Sequence, residues 1–226
     1  MLISTESVSL LAKRISSGGE VFCSGLFLSA RWMVVSQLDH QGMQVIILPD
    51  RDSAEYCASD LYSFINGDDV FFLPDSGRNL ERSNYKSSLS VQRTSAIGRI
   101  MDHKEGDRTI IVTYPSAVSE GIPARSAISD SLLRLSVGDE IDYDTLIRLL
   151  FDNGFERVDF VAEPGQFAVR GALIDIFSYS CNNPFRISFF GDEIETINIF
   201  DSNTQLSKEK TDSVEIYPDL AADEES

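Results

Sequence analysis

The sequence predicts an α/β chain in two parts: a parallel sheet covered by helices, then a small α+β domain with a twisted antiparallel sheet. Two observations carry this. Up to about residue 130, short apolar runs alternate with segments of helical period, which is the grammar of strand–helix–strand units. Beyond it, one amphipathic helix is followed by closely spaced strands separated by turn residues. The bulk composition agrees: 42% hydrophobic and 24% charged residues over 226 positions suit a folded chain with one large or two small cores.

In the first part, Glu20–Gly25 reads as a short buried strand and Leu26–Leu38 as a helix. Met43–Asp50 is an apolar run stopped by Pro49-Asp50. Arg51–Ile65 is a helix capped by Asp52 or Ser53, with Ala54, Cys57, Ala58, Leu61 and Ile65 on one stripe. Asp69–Asp75 repeats the apolar run with its Leu-Pro-Asp ending. Residues 74–89 are polar and read as a surface loop, and Ser90–His103 suits a helix. Arg108 to Val112 gives a strand, with a short helix from about Pro115. Ser119–Leu133, broken by Gly121 and Pro123, reads as the connection between domains 1–130 and 131–218.

The second part opens on a turn. Asp142 or Asp144 then caps a helix whose Leu146, Leu149 and Leu150 share a stripe, and Asn153-Gly154 ends it. The strands are "FAVRG", "ALIDIFS", "FRISFF", "EIETINIF" and "SVEIYP", with Gly191-Asp192 as a two-residue hairpin loop. Residues 219–226 read as an acidic tail, and the abrupt ending suggests a piece of something longer.

Charge and motifs narrow the chemistry. The net charge is −17, with 12 basic against 16 acidic residues up to Asp130 and 7 against 20 beyond it. A nucleic-acid surface needs a basic stripe, and the sequence has none. Cys23, Cys57 and Cys181 are widely spaced and odd in number, and His40 and His103 lie near neither each other nor a cysteine, so no metal or disulfide framework is expected. Reduced thiols fit a cytoplasmic protein. No run is apolar enough to span a bilayer. A phosphate-binding loop needs glycines, a lysine and a Ser/Thr hydroxyl, but in "GLFLSARW" (Gly25–Trp32) Ala30, Arg31 and Trp32 stand in the last three places. Asp175 with Glu193 or Glu195 is conceivable as an acid–base couple, but nothing in the sequence pins them together. No catalytic residue and no cofactor is expected.

Alternation points elsewhere. In an unbroken strand, Arg170 shares a face with Ala168, Ala172 and Ile174, and a bulge at Gly171 would shift the later positions. If Ile187 and Phe189 face the core, Phe190 points outward beside Arg186. Arginines and aromatics dominate binding surfaces. Equally, Arg170 and Arg186 have a plain structural reading as ion pairs with Asp175 or Glu195.

"GQFAVRGALIDIF", "PFRISFFGDEIETINIFDSNTQLS" and "SVEIYP" closely resemble the signature shared by the excinuclease protein UvrB and the bacterial transcription-repair coupling factors, with Gln166 in place of the usual Glu. The match runs over roughly residues 133–218. Since "GLFLSARW" lacks a working phosphate loop, the resemblance favours the coupling-factor side. It implies a degenerate P-loop helicase-like α/β lobe followed by a domain that docks UvrA, the damage-recognition protein of the excinuclease. Residue by residue, it puts the partner-binding role on Arg170, Arg186 and Phe190. RNA polymerase, DNA and an ATP-driven motor would belong to other parts of such a protein. Two rivals remain: an ATP-dependent enzyme of the UvrB type, and a stand-alone regulator that sequesters UvrA.

Overall fold

The computed structural model describes residues 5–38, 42–65, 69–77, 84–181 and 183–220. Its contacts divide the chain into two units, Met1–Pro74 with Asp102–Glu120, and Asp75–Met101 with Gly121–Ser226.

The first unit holds helices α1 (Thr5–Ser16), α2 (Ala30–Ser36), α3 (Arg51–Phe64) and α5 (Pro115–Ser119), with strands β1 (Gly42–Ile47), β2 (Val70–Phe72) and β3 (Arg108–Thr113); α4 (Asn84–Asp102) lies between β2 and β3 in sequence. The strands form a parallel sheet in the order β1-β3-β2, Val45 aligning with Ile111 and Phe71 with the same residue from the other side. The central strand β3 is buried along almost its whole length, which is why "TIIVT" is a continuous apolar run and not an alternation. Its core joins Ile110 and Val112 to Trp32, Leu48, Phe72 and the α3 stripe Ala54, Cys57, Ala58, Leu61. The α3 cap is Asp50, earlier in the chain than expected: its carboxylate accepts the Ser53 N–H at 2.8 Å.

Several expectations for this region are corrected. Glu20–Gly25 forms no strand and is exposed throughout, with Phe22 at 93%. Three apolar residues between glycines bury too little to offset the entropy of ordering them. The helix expected over Leu26–Leu38 shrinks to Ala30–Ser36, because a turn with Leu28 at φ 51° precedes it. The polar stretch expected as a loop up to residue 89 is already helical from Asn84. His40 and residues 221–226 of the expected acidic tail lie outside the described residues.

The second unit contains α6 (Arg125–Ser131), β4 (Leu133–Ser136), α7 (Tyr143–Asp152), β5 (Glu156–Arg157), β6 (Gln166–Arg170), β7 (Leu173–Ile176), β8 (Phe185–Phe190), β9 (Glu193–Phe200), β10 (Ser207–Thr211) and β11 (Ser213–Ile216). Six strands order as β10-β9-β8-β7-β6-β5, antiparallel except for the short β5–β6 pair. β11 pairs with β4 in a separate antiparallel ribbon. Helix α7 begins at the Asp142 cap, which accepts the Thr145 N–H at 2.8 Å; the Thr145 hydroxyl and this bond hold the carboxyl below its ordinary pKa. Leu146 and Leu150 then lie in the core with Phe167, Ile174, Ile187, Phe189 and Ile194. Among the described residues the chain is thus mixed α/β, with one parallel and two largely antiparallel sheets. Asp219 and Leu220 are anchored rather than trailing: the Ser90 hydroxyl donates to the Asp219 carboxylate, and the Leu220 N–H donates to the Thr94 hydroxyl at 3.0 Å.

One glycine has a steric reason. Gly165 sits at φ +84°, and a Cβ there would lie 2.5 Å from the Tyr179 ring, whose hydroxyl donates to the Gly154 carbonyl at 3.0 Å.

Candidate docking face

The site begins with a hairpin that alternation alone does not reveal. Gly171 and Ala172 form a two-residue turn between β6 and β7, with Gly171 at φ +59°, and Arg170 pairs with Leu173 across it. The unbroken strand and the bulge are both corrected. Ile174 belongs with Val169 in the register and is fully buried, while Leu173 and Asp175 join Ala168 and Arg170 on the opposite face. Tyr143 holds the turn, donating to the Gly171 carbonyl at 2.6 Å, and its ring meets Phe189 edge-on with centroids 5.3 Å apart.

β8 continues the face. Asp175 is registered against Arg186, and Leu173 against Ser188. Ile187 and Phe189 are buried in the core and Phe190 is 78% exposed, so the outward set on β8 is Arg186, Ser188 and Phe190. The irregularity between Ser188 and Phe189 is taken up on β9, where Glu195 is the extra residue, and the alternation of β8 survives.

The pairing left open between Asp175 and Glu195 goes to Asp175. Its side chain is 0% exposed. Arg186 grips it at two points, Nε to Oδ1 at 2.7 Å and Nη2 to Oδ2 at 2.9 Å. Arg170 Nη2 also donates to Oδ2. Both oxygens are therefore occupied by guanidinium groups, which removes the acid–base couple imagined for this carboxylate. The hydrogen bonds to Asp175 raise the Arg186 pKa above its ordinary value.

An aromatic ring lies beside each guanidinium group. The Arg186 guanidinium carbon lies 4.5 Å from the Phe200 centroid, and that of Arg170 lies 5.1 Å from Phe160. Phe200 belongs to a small buried cluster with Val161, Ala168 and Phe177, while Phe160 is exposed. The side chains remain 36% exposed at Arg170 and 20% at Arg186.

The turn after β9 braces Arg186, whose Nη1 donates to the Gln205 carbonyl at 3.4 Å. Asp201 caps that turn by accepting the Asn203 and Thr204 N–H groups; the Thr204 bond, together with Lys208, holds its pKa at about 2. Gln205 Nε2 ties the turn to the Val161 carbonyl at 3.0 Å. Gln166, the departure from the motif, uses its side-chain oxygen to accept the Ala162 and Glu163 N–H groups at 2.9 and 3.0 Å. That work needs only an acceptor oxygen, which glutamate and glutamine share.

Sequence reasoning missed Phe160, which lies far outside the strand pattern, and the bracing by Gln205. In the first unit, Trp32 is buried in the core, and the Arg31 guanidinium lies 4.6 Å from its ring. Among the described residues, no group of three or more His, Cys, Asp or Glu comes together, and no helix is long and apolar enough to cross a membrane.

Comparison with known proteins adds to this geometry. Residues 133–221 match the family described as the UvrB interaction domain. The transcription-repair-coupling factor of Bacillus subtilis is 31% identical over 202 residues, covering 88% of this chain and 17% of that protein. Those of Haemophilus influenzae and Myxococcus xanthus are 29% and 28% identical, covering 79% and 90% of this chain. The chain spans only 15 to 18% of the length of these relatives.

Proposed function

The chain belongs to the family of transcription-repair-coupling factors and carries their UvrB interaction domain; from that premise we propose that Arg170, Arg186 and Phe190 form its docking surface for UvrA. In this reading residues 1–130 are a degenerate helicase-like lobe, and residues 131–218 are the recruiting domain. The module works in the cytoplasm in transcription-coupled nucleotide excision repair, and it binds without catalysing. Contacts with RNA polymerase and DNA, and any translocase activity, are assigned to other parts of such factors.

The observation that carries this is the pairing of two partly exposed guanidinium groups with a solvent-facing phenyl ring on one sheet face. Planar multi-donor groups beside an apolar anchor are the usual makings of a protein-binding hot spot. The rival reading as a UvrB-type enzyme is disfavoured by Ala30, Arg31 and the buried Trp32 at the phosphate-loop position.

Calorimetry with purified UvrA tests the proposal. Arg170→Ala, Arg186→Ala and Phe190→Ala should each weaken binding by about 1–3 kcal/mol. Wild-type affinity in all three variants, each shown to be folded, refutes it.

A further inference from the structure

We infer that Asp175 is a positioning residue for partner recognition, locking Arg170 and Arg186 side by side so that their outward N–H edges receive a carboxylate from an acidic, partly apolar protein surface. The inference rests on the docking reading above and adds to it the chemistry of the partner and the residue that prepares the site.

Three observations support it. The first is stoichiometry. One fully buried carboxylate serves two guanidinium groups, leaving a formal charge of +1 on the cluster, in a chain whose net charge is −17. A structural ion pair needs one arginine. A second on the same acceptor brings like charges together and is a poor way to stabilise a sheet.

The second is the donor count. Among the described contacts, Arg186 uses Nε, Nη2 and Nη1, and Arg170 uses Nη2 alone. A guanidinium has five N–H donors in a fixed fork. Most of the Arg170 fork is left for a further acceptor, on a side chain 36% exposed. A carboxylate matches that geometry and the surplus charge.

The third is rigidity. Asp175 holds the Arg186 fork at two points and Arg170 at one, and Phe200 and Phe160 lie beside them. Arginines held this way lose little further freedom on binding. Phe190, exposed at the end of β8, supplies the apolar part of the match.

The test uses the 226-residue chain and purified UvrA, with circular dichroism to verify folding. Asp175→Asn keeps the shape and removes the charge. It should weaken binding by about 10- to 100-fold, the loss expected when a charged hydrogen-bond network loses its centre. The combination Asp175→Asn with Arg186→Ala should weaken binding by far less than the product of the separate factors, because Asp175 acts through the arginine. Arg170→Lys with Arg186→Lys, which keeps the charge and loses the forks, should fall close to the corresponding alanine pair.

If the arginine-to-alanine variants are weakened while Asp175→Asn binds as tightly as wild type, the positioning role is wrong and the docking face stands. Fully multiplicative losses in the combined variant would also overturn the positioning role. Should Asp175→Asn fail to fold, the lysine pair decides, and wild-type affinity there overturns the inference. Wild-type affinity in the alanine variants removes the docking reading, and this inference falls with it.

Discussion

Asp175 and Arg186 face each other across the β7–β8 register and close a two-point fork, with N–O distances of 2.7 and 2.9 Å, beneath the solvent-facing side of the sheet. Because the carboxylate is sealed and the guanidinium is not, the pair works as a fixed base with a presented edge. Arg186 is held in place in advance of any partner.

The neighbours Phe189 and Phe190 should give opposite results. Phe189 is in the core and Phe190 is 78% exposed. Phe189→Ala should destabilise the fold by about 3–5 kcal/mol in a denaturant melt. Phe190→Ala should leave the melt within about 0.5 kcal/mol of wild type and act on UvrA binding alone. Equal stability losses would mean that β8 is turned over.

Gly165→Ala should destabilise the domain by more than about 2 kcal/mol. The new methyl would meet the Tyr179 ring at 2.5 Å, and φ is +84°. Gly171→Ala meets nothing within 4 Å and bears only the conformational strain of its φ, so its melt should shift by clearly less. Chemical denaturation of both variants makes the comparison.

The cysteines should react unequally with a thiol reagent at about pH 8. Cys23 is exposed and Cys57 fully buried, and desolvation pushes the Cys57 thiol up to about 12. It therefore stays protonated as well as shielded. Cys23 should label first in the native protein, and Cys57 only on unfolding. Rapid native labelling of Cys57 would contradict the packing of α3.

Acid should weaken the turn that braces Arg186. The folded pKa of Asp201 is depressed to about 2 from an ordinary 3.8, so its contribution to stability is present above the ordinary value and is lost as pH falls through about 2. The difference in melting temperature between wild type and Asp201→Asn should be full at about pH 5 and vanish near about pH 2. A difference independent of pH would show that the aspartate's charge is idle.

Labelled ATP titrated into the chain should show no saturable binding at Gly25–Trp32, since the lysine and hydroxyl needed there are Arg31 and Trp32. Saturable binding would revive the reading as a UvrB-type enzyme.

Where the pattern is long and regular, the elements were legible. The stripe of α3 and the Leu146–Leu150 face of α7 could be read from spacing because each helix buries one side. The outward positions of Arg186 and Phe190 followed from the period of two on β8. The hairpin at Gly171 was hidden because a two-residue turn between apolar strands leaves the hydrophobic run intact. The absent strand at Glu20–Gly25 and the two-residue β5 lay below the length at which a local pattern carries information. Phe160 was invisible because a loop residue has no period.

The sequence by itself determined which residues alternate, where the amphipathic helices lie, and that no metal-binding or phosphate-loop pattern is written in the chain. These are properties of neighbours along the backbone, governed by rotamer geometry and local hydrogen bonds. Only the tertiary structure decided that Asp175 rather than Glu195 meets both arginines, and that β11 leaves the main sheet to pair with β4. Strand register and burial arise from competition among distant segments for the same core and the same backbone partners, and no local stretch of sequence contains that competition.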